Sequence, residues 1–207
     1  MKTGDWVIDI GANRGIVTGQ MCERVGPSGT VWAFEPMPEN VAALNALCQD
    51  NGLHQLTVFA VALHRENGTA EIRLPGPGGS AWASFSASWN TEGVLNVPIR
   101  RLDDFLKEAS LPPGPLRLVK LDVEGAEFDV LEGGRATWER FKPLLYLECN
   151  DVLLRDAGSS SLELLSAAAD HGFVPASAID LTTLDGAVVD VLLVHDASRR
   201  SKSVLSV

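Results

Sequence analysis

The sequence predicts an α/β protein built on a parallel sheet, and three observations carry the prediction. VIDIGANRG (Val7–Gly15) runs an apolar strand into a turn with glycines at Gly11 and Gly15. That is how a buried parallel strand hands over to a helix whose N-terminus stays open for a ligand. Short β-rich runs then alternate with helical stretches, which implies crossover connections. Finally, 207 residues, 45% hydrophobic and 21% charged, suffice for one ordinary core, since folding at this length hides roughly 70% of the unfolded surface.

In order along the chain, DWVIDI is a strand and VTGQMCERV a helix after the glycine turn. GTVWAF is the second strand. A helix from about Pro38 to Asn51 follows, with Val41, Leu44, Leu47 and Cys48 along one face and Pro38 suited to its first turn. LTVFAVA reads as a third strand. The rhythm then breaks into a hairpin-like insertion at about 68–100, with strand-like AEIRL and VLNVPIR around a Gly/Pro/Ser-rich loop from about Pro75 to Thr91. A short helix, LDDFLKEA, ends this section. LRLVKLDV is the next strand, AEFDVLEGG a helix ended by Gly133 or Gly134, and PLLYLECN another strand. SLELLSAAADHG is a helix stopped by Gly172. FVPASAI and VVDVLLVH close the pattern as two strands. With no internal repeat and no linker, residues 1–207 read as a single domain with a frayed tail at about 197–207.

The formal net charge of −10 is the reverse of the cationic field that displaces counterions from phosphates, so DNA, RNA and anionic membranes are excluded as main partners. The basic pair Arg100–Arg101 is answered at once by Asp103 and Asp104. Cysteines at positions 22, 48 and 149 show no metal-ligand spacing and read as reduced thiols. No leader is visible and no apolar run approaches 18 residues, so the expected location is cytoplasmic.

A dinucleotide site wants G-x-G-x-x-G, so that the backbone can approach a pyrophosphate. Here the turn is Asp9-x-Gly11-x-x-x-Gly15, with an acid that repels phosphate and suits an ammonium group. The second strand ends in Phe34-Glu35-Pro36, which puts a carboxylate at the sheet edge where it can accept from ribose hydroxyls. A ligand with a ribose, a positive charge and no phosphate is S-adenosylmethionine; NAD meets only the first condition. The plainer alternative is that the glycines serve packing alone and Glu35 is solvated.

The second constellation is LVKLDVEGAEFDVLEGG (Leu118–Gly134). Its strand delivers Asp122 and Glu124 to the carboxyl edge, beside the crevice where open α/β sheets bind ligands. Gly125 frees the backbone to turn. Glu127 is expected to favour the helix N-terminus.

VIDIGANRG, then FEP, then Leu102-Asp103-Asp104 before KLDVEGAEFDVLEGG, then YLE, together resemble the FkbM family of S-adenosylmethionine-dependent methyltransferases, over roughly Gly4 to Asn150. The resemblance implies a Rossmann-like class I methyltransferase fold: a mostly parallel seven-stranded sheet with an antiparallel last strand and helices on both faces. It implies methyl transfer to a hydroxyl oxygen of a small molecule of natural-product or sugar type. Asp9, Gly11, Asn13 and Gly15 would line the methionine end, Glu35 with Pro36 would hold the ribose, and Val61 and Ala62 would flank the adenine. Asp122 and Glu124 would sit by the transferring methyl. Relatives usually carry a segment ahead of the first strand that helps cover the site, and here MKTGD stands there; the middle loop, a partner subunit in a homodimer, or a missing N-terminal region would then supply the cover.

An alkyl hydroxyl needs a base or a metal to become a nucleophile. Asp122 or Glu124, with a pKa raised by burial, would be the base. Alternatively Asp122, Glu148 and Asn150 would hold Mg²⁺ through oxygen ligands. His64 follows the third strand and is expected in a surface loop, while His54, His171 and His195 are expected to be structural. Trp82, Phe85 and Trp89 would either clamp a substrate or pack the insertion onto the core. The competing functions are a cofactor-binding module without turnover, N-methylation of an amine, and an NAD-dependent oxidoreductase, the last disfavoured by the glycine spacing.

Overall fold

The protein is described by a computed structural model over residues 1–75, 91–180 and 183–196. The inner part of the insertion loop, with Trp82, Phe85 and Trp89, and the tail at 197–207 lie outside these residues. The chain opens with β1 (Trp6–Ile10), α1 (Ile16–Val25), β2 (Thr30–Phe34), α2 (Pro38–Asn51) and β3 (Leu56–Phe59). All five residues of β1 are buried, as expected of a strand covered on both faces. Its alternate residues serve two cores. Val7 packs with Met21, Cys22, Val25 and Leu44 of α1 and α2, while Ile8 and Ile10 face Trp32, Phe34, Leu121 and Trp138.

LTVFAVA is not one strand. It breaks after Phe59, and β4 (Ala62–Leu63) leaves the main sheet to pair in parallel with β6 (Thr91–Arg100), itself antiparallel to β5 (Gly68–Pro75). The reason lies in packing: Ala62 is buried against Ile72, Val97 and Ile99 of that hairpin, so the apolar run divides between two sheets.

The main pattern resumes with α3 (Leu102–Glu108), β7 (Leu116–Leu121), α4 (Glu127–Gly133), α5 (Arg135–Phe141), β8 (Leu144–Asn150), α6 (Asp151–Asp156), α7 (Ser161–Asp170), β9 (Phe173–Pro175) and β10 (Val188–His195). Two of these helices were not anticipated. α5 begins where Asp103, far away in sequence, accepts from Ala136 N at 3.0 Å and Thr137 N at 2.8 Å. α6 is capped by Asn150, whose side chain accepts from Leu153 N. α7 carries a legible start, Ser160 accepting from Glu163 N at 3.2 Å, and ends at Gly172 with φ +84°. FVPASAI contributes only its first three residues to β9.

The seven-stranded sheet has the order β3-β2-β1-β7-β8-β10-β9. Strands β3, β2, β1, β7 and β8 pair in parallel, and the last strand, β10, runs antiparallel to both β8 and β9. The expected fold, with its antiparallel last strand, is therefore the one observed. Strand order reverses between β1 and β7, which makes the crevice at their carboxyl ends the topological switch point. Among the described residues, no helix is long and apolar enough to cross a membrane.

Candidate active site

Two turns meet at that switch point. After β1, Gly11 has φ +77° and Gly15 φ +89°, conformations that side chains with a Cβ resist. A Cβ on Gly11 would lie 1.8 Å from the carbonyl oxygen of Asp122, and one on Gly15 would lie 2.8 Å from the δ-carbons of Leu44 and Leu47. Asp122 N donates to the carbonyl of Ile10 at 3.2 Å. The first turn is thus pressed directly against the turn after β7.

Glu35, 4% exposed, closes the other side. Its Oε2 accepts from Asn13 N at 2.8 Å; its Oε1 accepts from Met37 N at 2.9 Å and from Asn40 Nδ2 at 3.3 Å. Burial raises its pKa, with the three donors pulling the other way. A cavity of about 440 Å³ opens between the turns, within the range of small-molecule sites. Ile10, Phe34, Leu63 and Ile72 give it apolar walls, and Asn13, Arg14, Glu35, Asn40, Lys120, Asp122 and Glu124 its polar groups.

The far side of the cavity is acidic. Oxygens of Asp122, Glu124 and Glu148 lie within 4.8 Å of one another. Glu124 is held at φ +55°; burial, then the charges of Asp122 and Glu127, push its pKa to about 7. Burial and the same acidic neighbours push Glu148 to about 8. Glu127, 1% exposed, accepts from Val123 N at 2.9 Å and Gly125 N at 3.0 Å. It therefore staples the turn that presents Glu124, the helix-start role expected of it, and its own pKa is pushed to about 7 by burial.

Gly11, Asn13, Glu35, Pro36, Ala62, Asp122 and Glu124 line the cavity, whereas Asp9, Gly15, Val61, Glu148 and Asn150 are not among its lining residues. Asp9 is fully buried behind it, accepting from Thr18 Oγ1 at 2.6 Å and facing Lys120 Nζ at 3.5 Å. The charge attributed to a ligand's ammonium is answered here by an internal one. Glu148 sits beside Asp122 in the acidic cluster, and Asn150 follows it two residues on, at the end of β8. Its side-chain oxygen is committed to the α6 cap, and Glu124 takes the third place. His64 turns to Asp129 at 3.1 Å and His171 to Glu132 at 3.1 Å; neither lines the cavity.

Lys120 is the functional candidate that sequence reasoning missed. Its side chain is 7% exposed, with Nζ 2.9 Å from Asp122 Oδ2. Burial lowers its pKa, but Asp9 and Asp122 more than reverse that and hold it protonated. The signal was a lysine within the apolar run Leu118–Leu121, which needs a buried counter-charge.

The comparisons agree with this geometry. Residues 9–175 match the Methyltransferase FkbM domain. The 2-O-methyltransferase NoeI of Sinorhizobium fredii is 28% identical over 167 residues, 70% of this chain and 63% of that protein. Methyltransferase 1 of Beauveria bassiana is 29% identical over 147 residues, 62% of this chain and 57% of that protein. The chain thus spans somewhat under two thirds of the curated relatives it matches. Among solved structures, Methyltransferase FkbM from Methylobacillus flagellatus KT superimposes with a TM-score of 0.55 at 19% identity, over 94% of this chain and 44% of that one. Aeropyrum pernix fibrillarin, in complex with natively bound S-adenosyl-L-methionine, gives 0.56 at 12% identity, over 93% and 67%. At such identities these structures share the fold. The match over residues 9–175 places the chain in the FkbM methyltransferase family.

Proposed function

We propose that the protein is an S-adenosylmethionine-dependent methyltransferase acting on a hydroxyl oxygen of a small molecule. The observation that carries the reading is the cavity itself, with a donor-rich carboxylate on one wall and an acidic cluster on the other. The residues fit the cofactor. Glu35 spends its lone pairs on three donors and retains acceptor capacity for a ribose, since a carboxylate offers about four sites. Gly11, Asn13 and Pro36 would hold the polar end and the sugar, and Ala62 the base. Asp9, Gly15 and Val61 would shape that wall from behind.

When bound, S-adenosylmethionine supplies a methyl group already activated by a sulfonium. The chain's own residues then align the acceptor and remove its proton. Alignment of this kind supplies roughly 7–11 kcal/mol. An ordinary carboxylate is too weak a base at neutral pH, but Glu124, pushed to about 7, stands where a base works best. It would take the hydroxyl proton as the oxygen–methyl bond forms and the methyl–sulfur bond breaks, leaving a neutral thioether. Asp122, paired with Lys120 at 2.9 Å, orients the hydroxyl beside it. The same acidic cluster is the set a divalent cation such as Mg²⁺ would use in place of a base. The relative named a 2-O-methyltransferase supports oxygen over nitrogen as acceptor. The three cysteines are free thiols, which suits a reducing, cytoplasmic setting.

Calorimetric titration of S-adenosylhomocysteine into the wild type and Glu35→Ala, with and without Mg²⁺, tests the reading. Micromolar binding that collapses in the variant is expected, and no binding to well-folded wild type would sink it. A requirement for Mg²⁺ in turnover would replace the base with the metal.

A further inference from the structure

Lys120 lies on β7 in register with Asp9 of β1 and Tyr146 of β8. Its ammonium meets three acceptors: Asp122 Oδ2 at 2.9 Å, the carbonyl of Gly11 at 3.3 Å and Asp9 Oδ1 at 3.5 Å. A lysine present only to neutralise Asp9 has no need of the other two. Both belong to the turns that wall the cavity, and Lys120 itself lines it.

The contact with Gly11 has a partner on the opposite side. Gly11 N and Ala12 N both donate to the carbonyl of Phe34, at 3.0 and 3.2 Å. The N–H side of the glycine turn is therefore pinned to β2, and its C=O side is pinned through Lys120 to β7. No Cβ limits the turn at Gly11, so its peptide orientation rests on these attachments together with the bond from Asp122 N to the Ile10 carbonyl. An ammonium, with three donors on a compact head, can hold Asp122 and the Gly11 carbonyl while its charge faces Asp9 at 3.5 Å.

We propose that Lys120 is a positioning residue for the cofactor turn: its ammonium ties the Gly11 carbonyl to Asp122, and so fixes the wall that receives the cofactor relative to the carboxylate that receives the acceptor. The inference rests on the reading of the cavity as a methyl-donor site.

A double-mutant cycle in the full chain separates positioning from charge neutralisation. Thermal melting and S-adenosylhomocysteine calorimetry are run on the wild type, K120M, D9N and D9N/K120M. K120M leaves Asp9 buried without its cation and is expected to lower Tm, with affinity weakened roughly tenfold or more. D9N/K120M removes the fully buried Asp9–Lys120 charge pair together and leaves only the partly exposed Asp122 without its cation. Its Tm is expected to return toward the wild-type value, while its affinity stays roughly tenfold below wild type. Affinity recovering in step with Tm would overturn the proposal and make Lys120 a structural counter-charge. Wild type that binds no S-adenosylhomocysteine would overturn the cofactor reading instead. If neither Met variant melts cooperatively, nuclear magnetic resonance of the wild type decides. The Lys120 Nζ resonance, assigned through K120R, is expected to shift on adding S-adenosylhomocysteine. An unmoved resonance beside a shifted Asn13 amide would overturn the proposal.

Discussion

At the end of β2, Glu35 is one buried carboxylate with three donors aimed at it. Across the cavity, Asp122, Glu124 and Glu148 crowd within 4.8 Å, with the Lys120 ammonium bound to Asp122. Glu35 is satisfied by the backbone of its own fold, as a binding wall should be before its ligand arrives. The acidic wall is under-compensated, and its members respond by holding protons at higher pH: Glu124 to about 7 and Glu148 to about 8. A fold that tolerates such crowding keeps groups ready to exchange protons, which is the mark of chemistry more than of storage.

The contrast breaks most completely at the one residue both walls share. Gly11→Ala would drive a Cβ to within 1.8 Å of the Asp122 carbonyl at a positive φ that alanine resists. The expected cost is roughly 3 kcal/mol or more, a fall in Tm of about 6–12 °C for a chain of this size. S-adenosylhomocysteine affinity should fall with it, and a melting curve close to wild type would mean that the two turns are not in contact.

Glu124→Gln acts on the acidic wall alone. Turnover of any acceptor the wild type methylates should drop by roughly 10²–10⁴, the usual contribution of a general base, with S-adenosylhomocysteine binding unchanged within about twofold. Retained turnover would remove Glu124 from the mechanism. Glu35→Ala is the complementary case. It removes a charged acceptor of two backbone N–H groups, worth about 1.5–3 kcal/mol, so calorimetry should show affinity weakened roughly 10- to 150-fold. A weakening below about threefold would put the ribose elsewhere.

The binding wall was far more legible in the sequence than the acidic one. VIDIGANRG and FEP carry their geometry locally: a glycine turn and a strand-end acid need only their own neighbours to be read. Asp122 and Glu124 were legible for the same reason. Glu148 was named with Asp122 from the ends of their two strands, and the parallel pairing of β7 with β8 brings it there. Asn150, equally plausible by position, was claimed by a helix cap. Lys120 was invisible because its partner Asp9 lies on another strand and matches it only through register. α5 was missed for a similar reason, its start being capped by Asp103 from α3. What stayed hidden in these two cases was an interaction whose halves are distant in sequence.

The smallest effect expected is a pH dependence that the acidic wall, with the larger shifts, should confer most strongly. Glu148 has its carboxyl raised from 4.5 to about 8, so the folded chain binds that proton more tightly than the unfolded chain does. The stability this contributes is complete below about 4.5 and is lost as the pH rises through about 8. Tm should therefore decline between pH 5 and pH 9, and Glu148→Gln, which cannot titrate, should flatten that decline. The group is only half-buried, so the difference should be modest, at about 2–4 °C for each kcal/mol involved. Glu35→Gln offers the control, since its donors lie outside the acidic cluster and its removal should leave the alkaline slope intact. Equal flattening by both variants would show that the two walls titrate as one unit, and the contrast between a satisfied side and an under-compensated side would not describe this site.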